Sequence, residues 1–164
     1  AAVVVNDLMA EYGDSIRFEY HNFPFLSPAS NQAALAAEAA GQQGKCFEMH
    51  DLLFDNQADW ARASTPNVLF LRYAEEIGLD IEQFRRHQQS SLLRDKVQAD
   101  FAEGSDRGVT GTPTFFLNGE RLSYSTYEEF IATVRSAVTG ETPATPTAAE
   151  VGGGETAPEV RFGL

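Results

Sequence analysis

The chain is 164 residues long, which suits one domain with or without a tail and makes a two-domain enzyme a poor fit. Apolar residues at 43% and charged residues at 22% are ordinary for a globular protein and exclude wholesale disorder. Asp and Glu number 24 against 12 Lys and Arg, and a net charge of −12 would repel a phosphate backbone, so nucleic acid is not an expected partner.

In chain order, Val3, Val4, Leu8, Met9 and Tyr12 have helical spacing and lead to Gly13, whose tolerance of a left-handed conformation suits a helix end, so residues 1–12 are expected to be helix. Ile16, Phe18 and Tyr20 alternate with Arg17, Glu19 and His21, the period of a half-buried strand ending at Phe23-Pro24. Ser27-Pro28 supplies a cap and a proline for the first helical position of an alanine-rich helix that Gly41 and Gly44 close. A helix is expected from Lys45 to Asn56, on the spacing of Cys46, Phe47, His50, Leu53, Phe54 and Gln57. Another opens at Thr65-Pro66 and stops at Gly78. Asp80 caps a short one carrying Ile81 and Phe84, and a longer one runs through Leu92, Leu93, Val97 and Phe101. The segment from about 27 to 106 is thus expected to be all-helical.

Thr114–Leu117 and Glu120–Leu122 flank Asn118-Gly119, the strongest short signal for a two-residue hairpin turn. Ser125-Thr-Tyr-Glu128 matches a capping box for a last helix through Phe130, Ile131, Val134 and Val138 to Gly140. Residues 141–164, rich in Pro, Gly and Thr, are expected to be tail or linker. No window approaches the roughly 20 apolar residues of a bilayer span, since the most apolar stretch, Ala33–Ala40, already holds Glu38. The N-terminus has no initiator Met, basic segment or cleavage pattern, and reads like the interior of something longer.

The order helix, strand, helical block, hairpin, helix is that of an α/β fold, and the run Gly108-Val-Thr-Gly-Thr-Pro-Thr-Phe-Phe-Leu-Asn-Gly119 makes its family nameable. Together with Tyr12-Gly-Asp14, Asn22-Phe-Pro24, Gln43-Gly-Lys45, Glu48-Met-His-Asp-Leu-Leu-Phe54 and Gly78-Leu-Asp80, it resembles the DsbA-like branch of the thioredoxin superfamily over about residues 3–140. The resemblance implies a thioredoxin fold with a helical subdomain inserted before the hairpin, acting as a thiol–disulfide oxidoreductase on protein or peptide thiols and disulfides with a redox partner protein. It further implies an extracytoplasmic location, periplasmic, secreted or at the cell surface, and no cofactor or metal.

Dithiol exchange needs two cysteines, and family members carry a Cys-X-X-Cys where the first helix starts, its thiolate stabilised by the helix N-terminus. The chain holds one cysteine, Cys46, so neither that motif nor an intrachain disulfide can be built from it. By family spacing the dithiol is expected just upstream of Ala1, along with the first, central strand of the sheet, and the chain is expected to be truncated there. Val160, Phe162 and Leu164, or a neighbouring copy of the chain, are the alternative sources of that strand.

No catalytic residue is therefore expected within the chain. The expected substrate-binding loop is Gly111, Thr112 and Pro113. The resemblance implies a cis Pro113, with the Thr112 backbone open to pairing with a bound polypeptide and with Gly108 and Gly111 serving the loop's geometry. Cys46 and His50, four apart, could share a helix face as a nucleophile and its base; the preferred reading is that Cys46 packs as a small hydrophobe and His50 packs near Trp60 or caps a polar group. His21 and His87 read as surface or rim residues. Phe23, Phe25 and Phe47 could line a substrate groove, with core as the default, and Glu75-Glu76 and Asp80–Glu82 read as helix-surface and helix-start charges. The alternative function is a non-catalytic thioredoxin-like polypeptide-binding module; a third reading is a glutathione-using enzyme of the same fold.

Overall fold

The computed structural model describes residues 2–140; Ala1, the expected tail at 141–164 and its Val160, Phe162, Leu164 alternation lie outside the described residues. The elements in order are α1 (Ala2–Tyr12), α2 (Pro28–Gly41), α3 (Cys46–Asp55), α4 (Gln57–Trp60), α5 (Pro66–Glu76), α6 (Ile81–Gln88), α7 (Ser91–Asp106), β1 (Phe116–Leu117), β2 (Glu120–Arg121) and α8 (Tyr127–Thr139). Among the described residues they fall into two compact units, one joining residues 2–19 to 113–140 and the other made of residues 20–112.

In the second unit, α2 begins where the Ser27 side chain accepts a hydrogen bond from the backbone of Ser30 and Pro28 takes the first turn, where no donor is lost. Six of its alanines, Ala33, Ala34, Ala36, Ala37, Ala39 and Ala40, are fully buried. Side chains that short let α3, α5, α6 and α7 all pack against one helix. Met49, Leu53, Trp60, Phe70, Tyr73 and Phe84 fill the space between. Trp60 keeps its polar edge satisfied by donating from Nε1 to the Leu53 carbonyl at 2.6 Å. The turn α4 was not expected; four residues are too few to display a helical period.

The first unit is built from α1, α8 and the hairpin. β1 and β2 are antiparallel, with Phe116 opposite Arg121 and Leu117 opposite Glu120, and the Leu122 N–H donates to the Phe115 carbonyl at 2.8 Å beyond them. Asn118 and Gly119 both have positive φ, 51° and 88°, as the expected tight hairpin turn demands. Leu8, Phe130 and Val134 are its buried core, bordered by half-buried Val4, Tyr12, Ile16, Phe115, Leu122 and Tyr124. Arg135 joins α8 to α1 through the Tyr12 hydroxyl at 2.9 Å and the Glu11 carboxylate at 3.4 Å.

Three expectations are corrected. Ile16, Phe18 and Tyr20 are half-buried and Arg17, Glu19 and His21 exposed, as a strand's would be, yet the segment belongs to no ladder among the described residues, whose one sheet is β1–β2. The last helix is capped one residue later than expected: Thr126 accepts from the Glu129 N–H at 3.2 Å, and Glu129 accepts from the Ser125 N–H at 2.8 Å. Gly13 is not left-handed; a Cβ there would run into the Met9 carbonyl oxygen, so close approach is what favours glycine. The described part is mostly helical with one small sheet, and no helix in it is long and apolar enough to cross a membrane.

Candidate functional site

The loop expected to meet substrate begins where α7 ends. Gly108 adopts φ 73°, and the Gly108 and Val109 N–H groups donate to the carbonyls of Ser105 and Gly104 at 3.0 and 2.9 Å, which satisfies the helix's last carbonyls and turns the chain out of it. Gly111, Thr112 and Pro113 form a half-buried bend that leads through Thr114 and Phe115 into β1. Gly111 and Thr112 close the second unit and Pro113 opens the returning stretch of the first. Gly111 has no left-handed φ, against the expectation that it serves backbone geometry, and among the described residues nothing lies within 4 Å of where its Cβ would be.

A polar cluster the sequence reading missed anchors the segment before α2 onto α7. Asn22, with no exposed surface, donates from Nδ2 to Glu38 Oε1 at 2.6 Å and to Asp100 Oδ2 at 3.0 Å, and its backbone N–H reaches the same Asp100 oxygen at 3.1 Å. Lys96 Nζ joins both carboxylates, at 2.7 Å to Glu38 and 3.0 Å to Asp100. His21, exposed as a surface or rim residue should be, has its Nδ1 3.4 Å from Asp100 and 3.7 Å from Glu103. Burial alone would raise the Asp100 pKa, but the Asn22 hydrogen bonds and Lys96 outweigh it and hold the carboxyl below the usual aspartate range. The reverse balance holds for Lys96, where burial would lower the value and the bonds to Glu38 and Asp100 raise it. One signal was visible: Glu38 is a lone charge in a run of alanines, and a charge carried into a core needs partners.

Cys46 and His50 sit on α3, and their surroundings favour packing over nucleophilic chemistry. Burial and the Glu38 charge push the Cys46 thiol up to about 11, so the reactive thiolate is scarce at neutral pH. Burial lowers the His50 value, and its Nδ1 lies 3.1 Å from Asp51 Oδ1. The ring partners of His50 are Phe54, Tyr20 and Phe47, at centroid distances of 4.4, 5.4 and 6.5 Å, whereas Trp60, its expected neighbour, meets Phe70. His87, expected at the rim, has its Nδ1 buried with no hydrogen-bond partner among the described residues. Of the three phenylalanines assigned by default to the core, Phe25 and Phe47 are exposed, and Phe23 is half-buried with its ring stacked on Phe101 at 4.8 Å. Among the described residues no group of three His, Cys, Asp or Glu is placed to hold a metal ion.

This arrangement has a family. The model of the family described as thioredoxin matches residues 1–136, and the chain belongs to that family. Among curated proteins it is similar to the Na(+)/H(+) antiporter NhaA 3 of Salinispora tropica, 37% identical over 123 residues that make up 74% of this chain and 18% of the antiporter. It is similar also to the Na(+)/H(+) antiporter NhaA 1 of Salinispora arenicola, 38% identical over 145 residues, 85% of this chain and 21% of that one. A Mycobacterium NhaA 1 is 39% identical over 127 residues, 74% and 20% of the two chains. The chain thus spans about a fifth of the length of these relatives. No solved structure matches it.

Proposed function

We propose that this thioredoxin-family chain is the substrate-facing part of a DsbA-like thiol–disulfide oxidoreductase domain working on protein or peptide thiols in an oxidising, extracytoplasmic compartment. The observation that carries the reading is the half-buried Gly111–Pro113 bend leading directly into a hairpin. There an extended polypeptide can approach the Thr112 backbone and pair with it as an added strand does. Cys46 is the sole cysteine, and one thiol cannot complete a two-electron exchange, so the reading requires a Cys-X-X-Cys contributed by residues outside this sequence. In that reaction the thiolate of the first cysteine attacks a substrate disulfide, releasing one substrate thiolate and forming a mixed disulfide; the second cysteine then attacks the first cysteine's sulfur, releasing the other substrate thiolate and leaving the dithiol oxidised to a disulfide.

The NhaA relatives favour a second reading of context: the chain is a thioredoxin-type domain carried by a Na(+)/H(+) antiporter. Both readings are tested on the natural polypeptide. Its intact mass and N-terminal sequence are expected to reveal a Cys-X-X-Cys a few residues before Ala1, and the protein carrying it is expected to catalyse insulin disulfide reduction while the 164-residue chain does not. A mass several times 17.9 kDa supports the antiporter context. A natural dithiol without insulin reduction overturns the oxidoreductase reading and leaves a non-catalytic polypeptide-binding module.

A further inference from the structure

Among the described residues Asn118 is the one non-glycine with a positive φ, 51°, and Gly119 follows it at 88°. Those angles are the ones the two central residues of a type I′ turn adopt, and both residues are exposed at the tip of the β1–β2 hairpin. Of the six asparagines in the chain, Asn118 alone is followed by glycine. That dipeptide can react with itself. The Gly119 backbone nitrogen attacks Asn118 Cγ, and the new C–N bond closes a five-membered succinimide while the side-chain nitrogen leaves as ammonia. Water then opens the ring at either carbonyl. One opening gives aspartate, and the other gives isoaspartate, in which the main chain runs through the former side chain. Glycine favours the attack because it has no Cβ to crowd the nitrogen.

The turn itself opposes this reaction. Ring closure needs Cγ beside the Gly119 nitrogen, but the first central residue of a type I′ turn has ψ of about 30°, which sets that nitrogen nearly opposite Cβ across the Cα–C bond. The side chain then cannot reach it. We infer that Asn118-Gly119 is a gated self-modification site, shielded while the hairpin is closed and converted to aspartate and isoaspartate when it opens. The gate is a light one. Among the described residues the ladder holds two residue pairs, and β2 is exposed along its length; elements with so few buried contacts open locally before the rest of a protein unfolds. Conversion is not undone on reclosing. Isoaspartate adds a carbon to the main chain of a two-residue turn, and either product adds a negative charge next to Glu120. The marked hairpin therefore closes less well, and the Leu122 to Phe115 hydrogen bond at its base weakens with it. The inference does not depend on the oxidoreductase reading, since it uses no residue of the Gly108–Pro113 loop.

The test is to incubate the wild-type chain at mildly alkaline pH and follow each asparagine by proteolysis and mass spectrometry, which detects the exchange of NH2 for OH and separates aspartyl from isoaspartyl peptides. A synthetic peptide spanning Phe115–Leu122 supplies the unshielded rate. Asn118 is expected to react before the other five asparagines, with isoaspartate among its products, and at least about tenfold more slowly in the folded chain than in the peptide. Urea below the unfolding midpoint is expected to raise the rate while the far-UV circular dichroism is still native. A folded-state rate equal to the peptide's removes the shield, and a different asparagine reacting first removes the site. A rate that rises only in step with loss of the circular dichroism signal removes the local gate. Each of these overturns the proposal.

Discussion

In the second unit a helix with six fully buried alanines lies among four others; in the first, three of the described residues are buried and half-buried rings border them. Phe115, Tyr124 and Phe130 stand 4.7 to 6.2 Å apart between ring centroids, at angles that leave edges and faces in contact without interlocking. The second unit packs buried rings around a helix of short side chains, whereas half-buried rings make up much of the first. Close-packed helices leave little room to relax, whereas half-buried rings can turn to follow a lost neighbour.

The sharpest way to break that comparison is to truncate one ring in each core. Phe70→Ala opens a cavity among rigid helices and is expected to cost about 3–5 kcal/mol. Phe130→Ala is expected at the low end of that range or below it, about 2–3 kcal/mol, because Phe115 and Tyr124 can close on the gap. Urea unfolding followed by circular dichroism measures both, and equal losses would end the distinction.

Asp100→Ala comes next, with an expected loss of about 2–4 kcal/mol, since it strands the Asn22 N–H groups and leaves Lys96 only Glu38. The same carboxylate sets a pH dependence. Its folded-state pKa is depressed, so its contribution is present above the ordinary aspartate value near 4 and is lost as pH falls through the folded value. His50, whose value burial lowers, acts in the same direction from about pH 6.5 downward, because the unfolded chain binds its proton first. Stability is expected to fall on acidification in both stages, and Asp100→Ala to weaken the lower one. A wild-type midpoint that is flat between about pH 7 and pH 3 would contradict this.

The smallest effect sharpens the picture of close packing. Gly104 sits inside α7, and a Cβ there would come within 2.8 Å of the Phe23 ring, itself stacked on Phe101. Helix propensity favours alanine by about 1 kcal/mol, yet Gly104→Ala is expected to destabilise by roughly 1 kcal/mol net because the stacked ring must shift. A stabilised variant in the same urea assay would show that ring to be loosely held.

Local signals account for most of what was legible. Ser27-Pro28, Asp80 and Asn118-Gly119 each act through neighbours a few residues away, so caps, helix starts and the hairpin could be read from the chain. What acts at a distance could not. Asn22 and Asp100 are 78 positions apart, and no spacing rule links them. The exposure of Phe25 and Phe47 depends on what packs against them, which composition does not specify. For the expected substrate loop, the position of Gly111-Thr112-Pro113 between helix and hairpin was legible, while the lack of a left-handed φ at Gly111 was not.

The alanine helix also bears on descent. Any single-base change in an alanine codon that alters the residue yields Ser, Thr, Pro, Val, Gly, Asp or Glu. At Ala33, Ala34, Ala36, Ala37, Ala39 and Ala40, each fully buried, every one of these brings a branch, a hydroxyl, a charge, a ring without an N–H, or added backbone freedom into the closest-packed part of the molecule. Every one-step mutational path out of these six sites therefore leads downhill in stability, and drift among descendants of this chain should run around the helix rather than through it.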